Sequence, residues 1–401
     1  MLHALVAALS IIAVSFVLCA SLYVAGFAIL GAGQRPCFPR RTAQTRFLVL
    51  VPAQNKGSGI EATLRSLRRA NYPEELIRIA VIADNCNDNT AEVARSCGIE
   101  AWIRTDPQNP GKGQALSWAF DKAALAYDLA AVINPDTEVD PQFFAAMDSA
   151  FATLLRKSRA NVVLQGRYLF AETAAAVSWF DQFTIASKAA ENSFFYRPRT
   201  ALRLANLIQG NGFCISRTAL ELVPYNATSV VEDAEYAVTL ALHGISVVHV
   251  DEARVVSRVT AELKDTASER LLWASGIFSL LRHSVPELLR SALRQRRWQP
   301  AEMALMLLLT SRLLLVYATL ISIVLLDSAY RFRHFDVVAS ALAASLLLQS
   351  IYLYLVLRKA GGTPIPFQTI VFTPFYVGFL GAMQLGAILG FKKRQLSGPM
   401  W

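Results

Sequence analysis

The stretch "AAVINPDTEVDPQFF", residues 130–144, climbs out of an apolar run and ends among carboxylates. A strand-like "AVI" that stops at Asn134, Pro135 and Asp136 puts polar groups at a strand's carboxyl end, where open α/β sheets bind their ligands. Segments on either side repeat the form. Short apolar runs read as strands at "RFLVLVPA" (46–53), "IRIAVIAD" (77–84), "EAWIRT" (100–105), "LAAVINP" (129–135) and "NVVLQGRYLF" (161–170). Helical patterns alternate with them: "GIEATLRSLRRA", "DNTAEVARSCG" with Asn87 or Asp88 as cap, and "KGQALSWAFDKAAL". This rhythm predicts an α/β domain with a mostly parallel sheet over residues 46–265.

The flanks are different in kind. The 401 residues are 54% hydrophobic and 17% charged, with mean hydropathy +0.36, more apolar than a soluble chain. Residues 4–31 carry no charge over a length that crosses a bilayer core of about 30 Å, and too little precedes them for a cleaved leader. They predict a retained transmembrane anchor, 1–33. The next segment, "GQRPCFPRRTAQTR", holds four arginines and no acid, which places the domain in the cytoplasm by the positive-inside rule. A basic amphipathic region (266–300) reads as a helix lying on a membrane surface. Apolar segments at 303–326, 337–357 and 366–390 then fill a C-terminal membrane or interfacial region (301–391), followed by a tail, 392–401. The expectation is a multi-pass protein of the inner (plasma) membrane. Three late crossings would leave "FKKRQ" (391–395) outside, so either one segment, such as "PIPFQTIVFTPF", lies in the interface or the charge rule is broken here.

Cys19, Cys37, Cys86, Cys97 and Cys214 are scattered, which speaks against a disulfide framework or a zinc site and for a reducing compartment. The net charge of +9 is spread over juxtamembrane positions, which favours anionic membrane lipids over nucleic acid as its partner.

Polar residues at strand ends are the candidates for chemistry. Asp84 follows "IAVIA" and can bind ribose hydroxyls or a base edge, or simply cap a helix. Gly111-Lys112-Gly113 opens a helix, as a phosphate or base contact or a solvated turn. Asp136, with Asn134, can reach a divalent cation, Mg²⁺ or Mn²⁺, or serve only as a turn residue, and Asp140 reads as a cap. Glu232, Asp233 and Glu235 form the densest acid group, fit for a general base or for a helix dipole's first turn.

In order, "VLVPAQNK", "RIAVIADNCNDNTAEVA", "NPGKGQALSWAF", "AVINPDTEVDPQF", "LQGRY", "LIQGNGFCISR", "VVEDAEYAVTLALHGISVVHVDEA" and "ERLLW" resemble the serial motifs of glycosyltransferase family 2. The group they are most similar to is the membrane-bound one of cellulose, hyaluronan and poly-N-acetylglucosamine synthases. The resemblance covers about residues 46–273. It implies a GT-A fold, a nucleotide-sugar donor, commonly a UDP-sugar, a divalent metal, and inverting transfer to a glycan or lipid acceptor, with partner membrane subunits compatible. Residue by residue, it implies Pro52, Asn55, Asp84 and Lys112 on the donor side, Asp136 and Asn134 at the metal, and Asp233 as base. Gln209, Asn211, Glu232, Arg270 and Trp273 fall on the acceptor or glycan side. Three departures stand out: Asn134 replaces the first metal-motif aspartate, Lys56 follows Asn55 where the family has glutamate, and Glu269-Arg270-Leu271-Leu272-Trp273 lacks the second arginine of the terminal motif. They motivate a second reading, a degenerate member that binds nucleotide sugar or a partner synthase without turnover.

Overall fold

The computed structural model describes residues 2–33, 36–123, 127–171, 179–227, 229–258, 263–309, 315, 318–323 and 335–359. Its centre is an eight-stranded sheet in the order β3-β2-β1-β4-β7-β6-β8-β5. The strands are β1 (Phe47–Ala53), β2 (Ile77–Asp84), β3 (Glu100–Arg104), β4 (Leu129–Val132), β5 (Thr137–Val139), β6 (Val163–Ala171), β7 (Phe213–Ser216) and β8 (Val247–Arg258). All five expected strands are present. The expected parallel sheet holds for β3-β2-β1-β4, whose pairings are all parallel. Beyond β4 it needs correction, because β7 runs antiparallel to both β4 and β6, and β5 runs antiparallel to β8. Only β6 and β8 pair in parallel there, with a break in register between Gly166 and Arg167. The mixed half was hidden because β5 and β7 are three and four residues long, too short for a period of two to show.

Burial on both faces explains the near-continuous apolar strands. Along β1, Leu48 and Leu50 join one core, while Phe47, Val49, Val51 and Ala53 join the other. Helices α2 (Ile60–Arg68), α3 (Thr90–Ser96), α4 (Lys112–Lys122) and α5 (Phe143–Leu155) follow their strands in the crossover order of an α/β unit. The cap of α3, expected at Asn87 or Asp88, falls on Asn89, which makes no side-chain capping bond; Asp88, one residue earlier, accepts the Thr90 amide at 3.0 Å and so steadies the turn into the helix.

The second half is covered by α6 (Trp179–Glu191), a π-helical turn (Asn192–Tyr196), α7 (Arg197–Ala201), α8 (Arg217–Leu222) and α9 (Glu232–Leu242). Then come α10 (Leu263–Gln295), with Pro286 inside it, and α11 (Gln299–Leu309). The amphipathic region is thus one long helix, with Leu289 and Leu293 exposed among arginines and Leu288 buried.

The N-terminal helix α1 (Leu2–Gly33) contains the stretch Ala8–Leu30, 23 residues of hydropathy 2.3. Among the described residues it is the one helix long and apolar enough to cross a membrane. The crossing expected at 337–357 falls on a further helix, α12 (Phe335–Lys359), whose apolar stretch is Asp336–Tyr352, and the one expected at 303–326 begins on α11 and lies partly outside the described residues. The segment at 366–390 and the tail lie outside the described residues.

A buried polar clamp fastens α1 to the domain. The Arg199 guanidinium, fully buried on α7, pairs with Glu302 of α11 at 2.6 Å and donates to the Tyr23 hydroxyl of α1. Tyr23 in turn donates to Glu302 at 2.8 Å, and Arg199 Nε donates to the Ala205 carbonyl at 3.0 Å. Removing one partner of such a pair leaves an uncompensated charge in the interior. Glu302→Ala is expected to destabilise the detergent-solubilised protein by roughly 3–5 kcal/mol, read as a drop in thermal-unfolding midpoint. An unchanged midpoint would show that the clamp does not hold α1.

Candidate active site

Four strand ends and two loops meet at one edge of the sheet. On the parallel half of the sheet, β2 ends in Asp84, completely buried. One of its oxygens accepts from Arg104, at the tip of β3, at 2.6 Å, and Arg104 also binds Asp106 at 2.9 Å. The other, Oδ2, is buried with no hydrogen-bond partner among the described residues. Burial lifts the Asp84 carboxyl above the usual aspartate range, and Arg104 opposes the rise. An acceptor oxygen held in the interior without a donor is costly. A ligand's N–H would relieve it.

Beside it, Asn55 stitches two strand-end loops together. It adopts a left-handed conformation, φ 54°, and its side-chain oxygen accepts the Asn87 amide at 2.8 Å. Lys56 follows with its backbone amide donating to Thr90 Oγ1 at 2.9 Å, so it is anchored by main chain. Pro52 is buried within β1 opposite Ile82. It shapes the strand end.

The tip between β4 and β5 carries Asn134 and Asp136, the latter exposed. Asn211, from the Gly210-Asn211-Gly212 turn, braces this tip. Its Oδ1 accepts the Asn134 amide at 3.0 Å, while its Nδ2 donates to Thr137 Oγ1 at 2.7 Å and Ser257 Oγ at 3.2 Å. Asn211 is buried, and its amide is taken up by this bracing. Among the described residues no group of three or more His, Cys, Asp or Glu could hold a metal by itself. One exposed carboxylate plus an amide oxygen nevertheless suits a cation that keeps waters and binds together with substrate phosphates, as Mg²⁺ does.

Glu232 and Asp233 open α9. Gly210, at φ 77°, lies against the Asp233 carboxylate so closely that a Cβ there would collide with Oδ2. Only glycine meets both conditions. Glu232 is buried, and that burial together with Asp233 pushes its carboxyl well above the usual range. Lys112, at the start of α4, donates to the Gly210 carbonyl and stands 3.7 Å from Glu232 Oε1. Gln209 donates to Asn192 of the π-helical turn at 3.2 Å, and its own amide is held by Gln165 at 2.8 Å. Arg270 and Trp273 lie on α10, and their side chains are outside the described set. Three residues beyond Trp273, Gly276 packs on Val231, so this helix abuts the turn that presents Glu232 and Asp233.

The structure thus gathers Lys112, Gly210, Glu232 and Asp233 into one cluster and joins Asn134 to Asn211, with Asp84 and Asn55 on the neighbouring strand ends. Sequence reasoning missed Arg104, Thr137, Ser257, Gln165 and Asn192, which hold the named residues. For Arg104 a signal existed: a cation at a strand's carboxyl end beside an aspartate one strand over.

A Rossmann-like sheet that turns antiparallel halfway, with an acid pair and a carboxylate tip at its edge, defines a glycosyltransferase of the GT-A type. The profile described as "Glycosyltransferase like family 2" matches residues 44–276, and the chain belongs to that family. Similar proteins include the glucomannan 4-beta-mannosyltransferase 7 of Arabidopsis thaliana, 23% identical over 61% of this chain and 45% of the plant protein. A probable glycosyltransferase of Bacillus subtilis, YdaM, is 28% identical over 22% of each chain. The chain therefore spans less than half the length of these curated relatives. Among solved structures, the mannosyltransferase PcManGT from Pyrobaculum calidifontis, in complex with GDP-Man and Mn²⁺, covers 97% of this chain and 100% of its own, at TM-score 0.54 and 15% identity. That likeness is one of fold.

Gly210→Ala is expected to displace Asp233 and cut transfer by about 100-fold, the scale of an ångström-sized misplacement. Nucleotide affinity, measured by titration with UDP and GDP, is expected to hold. Retained activity would place Asp233 outside the chemistry.

Proposed function

We propose that this protein is a membrane-anchored, inverting glycosyltransferase that moves a sugar from a nucleotide-sugar donor to a glycan or lipid acceptor at the cytoplasmic face of the inner membrane. The observation that carries this reading is the single braced unit at the sheet edge. Gly210 packs on Asp233, Asn211 in the same turn grips the Asn134–Thr137 tip, and the candidate base and phosphate-side tip therefore hold a fixed relation.

Asp233, half-buried at the start of α9, takes the proton of the acceptor hydroxyl. The hydroxyl oxygen forms the new bond at the anomeric carbon, and the sugar–phosphate bond breaks, its electron pair leaving with the nucleoside diphosphate. In-line attack inverts the anomeric centre. Asp84 binds the nucleoside through the oxygen that Arg104 leaves unused. When bound, Mg²⁺ or Mn²⁺ supplies neutralisation of the diphosphate charge, and Asp136 with Asn134 would hold it. A UDP-sugar remains the first donor to test. The mannosyl chemistry named for the plant and archaeal proteins adds GDP-mannose to the panel.

The exposed apolar side chains of α1, among them Leu9, Ile12, Phe16 and Ile29, suit lipid contact. The three apolar C-terminal segments and α10 complete the proposed membrane association, with further crossings beyond α1 part of the proposal.

Asn134 in the place of a second carboxylate favours one further reading, a nucleotide-sugar-binding subunit without turnover. Membranes carrying the full chain, supplied with UDP- and GDP-sugars and Mn²⁺ or Mg²⁺, separate the two. Asp233→Asn is expected to lower transfer by about 10²- to 10⁴-fold with nucleotide binding intact. Nucleotide binding without turnover of any donor by the wild type would favour the binding subunit. Asn134→Asp is expected to lower the metal concentration needed for half-maximal rate, since a second carboxylate strengthens the attraction. A flat response would remove Asn134 from the cation.

A further inference from the structure

Lys112 was expected on the donor nucleotide; in the folded chain its ammonium meets the Gly210 turn and Glu232. It is about nine-tenths buried, donates to the Gly210 carbonyl, and lies 3.7 Å from Glu232. The approach is built in on both sides. At Gly113, the next residue, a Cβ would collide with the Ala227 carbonyl and press on Glu232 Cβ, so α4 can dock here only because that position is glycine. At Gly210 a Cβ would strike Asp233. The opening of α4, the Gly210 turn and the first turn of α9 thus interlock without room for any other side chain.

We propose that Lys112 is a positioning residue for the acid pair, holding Gly210 against Asp233 and placing a buried positive charge beside the pair. This rests on Asp233 being the base. Two adjacent carboxyls in a buried turn do not both ionise readily, because each negative charge opposes the other. Burial and Asp233 drive Glu232 toward its protonated form, and Lys112 is the group that opposes them. Among the described side chains, Lys112 from α4 acts on Glu232 alongside Asp233, and Tyr225, from the loop before α9, lies beside both acids. Lys112 is the cation of that set. From α10, the described packing contact at Val231 is Gly276.

The test is the pH dependence of kcat for donor turnover in membranes of the full chain, with donor KM measured alongside. In Lys112→Met the acidic limb is expected to move to higher pH, with kcat down about tenfold near neutrality and recovering at higher pH, and donor KM within about twofold. Lys112→Arg, which keeps the charge, is expected to restore the wild-type limb in large part. Glu232→Gln removes the competing acid without removing the lysine, and is expected to move the limb to lower pH. It serves as the independent reading should Lys112→Met fail to bind UDP and so fail the fold check. A raised donor KM with an unmoved limb in Lys112→Met would overturn the proposal and return the lysine to the donor phosphates. So would an unmoved limb in Glu232→Gln. Failure of the base assignment is read separately, as wild-type turnover in Asp233→Asn.

Discussion

Everything at the active edge depends on where the Asn211 amide sends its three hydrogen bonds. The side chain is buried and has one acceptor and two donor hydrogens, and each is used: Asn134 from the β4–β5 tip, Thr137 at the start of β5, and Ser257 near the end of β8. Thr137 and Ser257 already face each other in the β5–β8 ladder, their hydroxyls 2.8 Å apart, and Asn211 ties the Asn134 tip to that pair. Replacing the amide by an apolar group would leave the Asn134 amide without its acceptor and take a donor from the hydroxyl pair, at a desolvation cost. The glycines on either side let the turn pass close enough, with Gly210 under Asp233 and Gly212 against Val255. A single amide therefore sets the distance between the phosphate-side tip and the acid pair.

Much of this was legible in the sequence, and what was not has a physical cause. The parallel half declared itself through long apolar strands, since β1, β2 and β4 are buried on both faces and need apolar residues throughout. The antiparallel half is built from short strands whose residues are chosen by tertiary neighbours. "FCIS" carries little periodicity, and "TEV" reads as part of an acidic loop. Motif residues such as Asp84, Asp136 and Asp233 were visible by type and by resemblance. Their supports were not, because a hydrogen bond from Gln165 to residue 209, or from Asn211 to Ser257, spans more than forty positions and leaves no local spacing. The lysine of the Gly-Lys-Gly turn shows the limit most clearly. Its position at a helix start suggested an anion, whereas the folded chain satisfies it internally with a carbonyl and a carboxylate.

The two sides of the edge handle charge in opposite ways. At the end of β2 a buried aspartate is held by a buried arginine, leaving one oxygen without a donor. At the start of α9 two adjacent acids stand beside one lysine. In the proposed reading the first would meet a base edge and the second would take a hydroxyl proton. The sheet keeps them apart at the ends of different strands while α4 connects them.

The clamp between Tyr23, Arg199 and Glu302 has a consequence for how the chain is made. Its members lie 176 and 103 positions apart along the polypeptide, and Glu302 emerges last. Chains fold largely from the N-terminus as they are synthesised. Until residue 302 is available, the Arg199 guanidinium has no counter-ion within its burial site. The domain's second half and the N-terminal helix therefore cannot close on each other early. Final docking of the first helix becomes a late event in biogenesis, and a nascent chain stopped within α10 would hold a finished sheet that is not yet locked to its anchor.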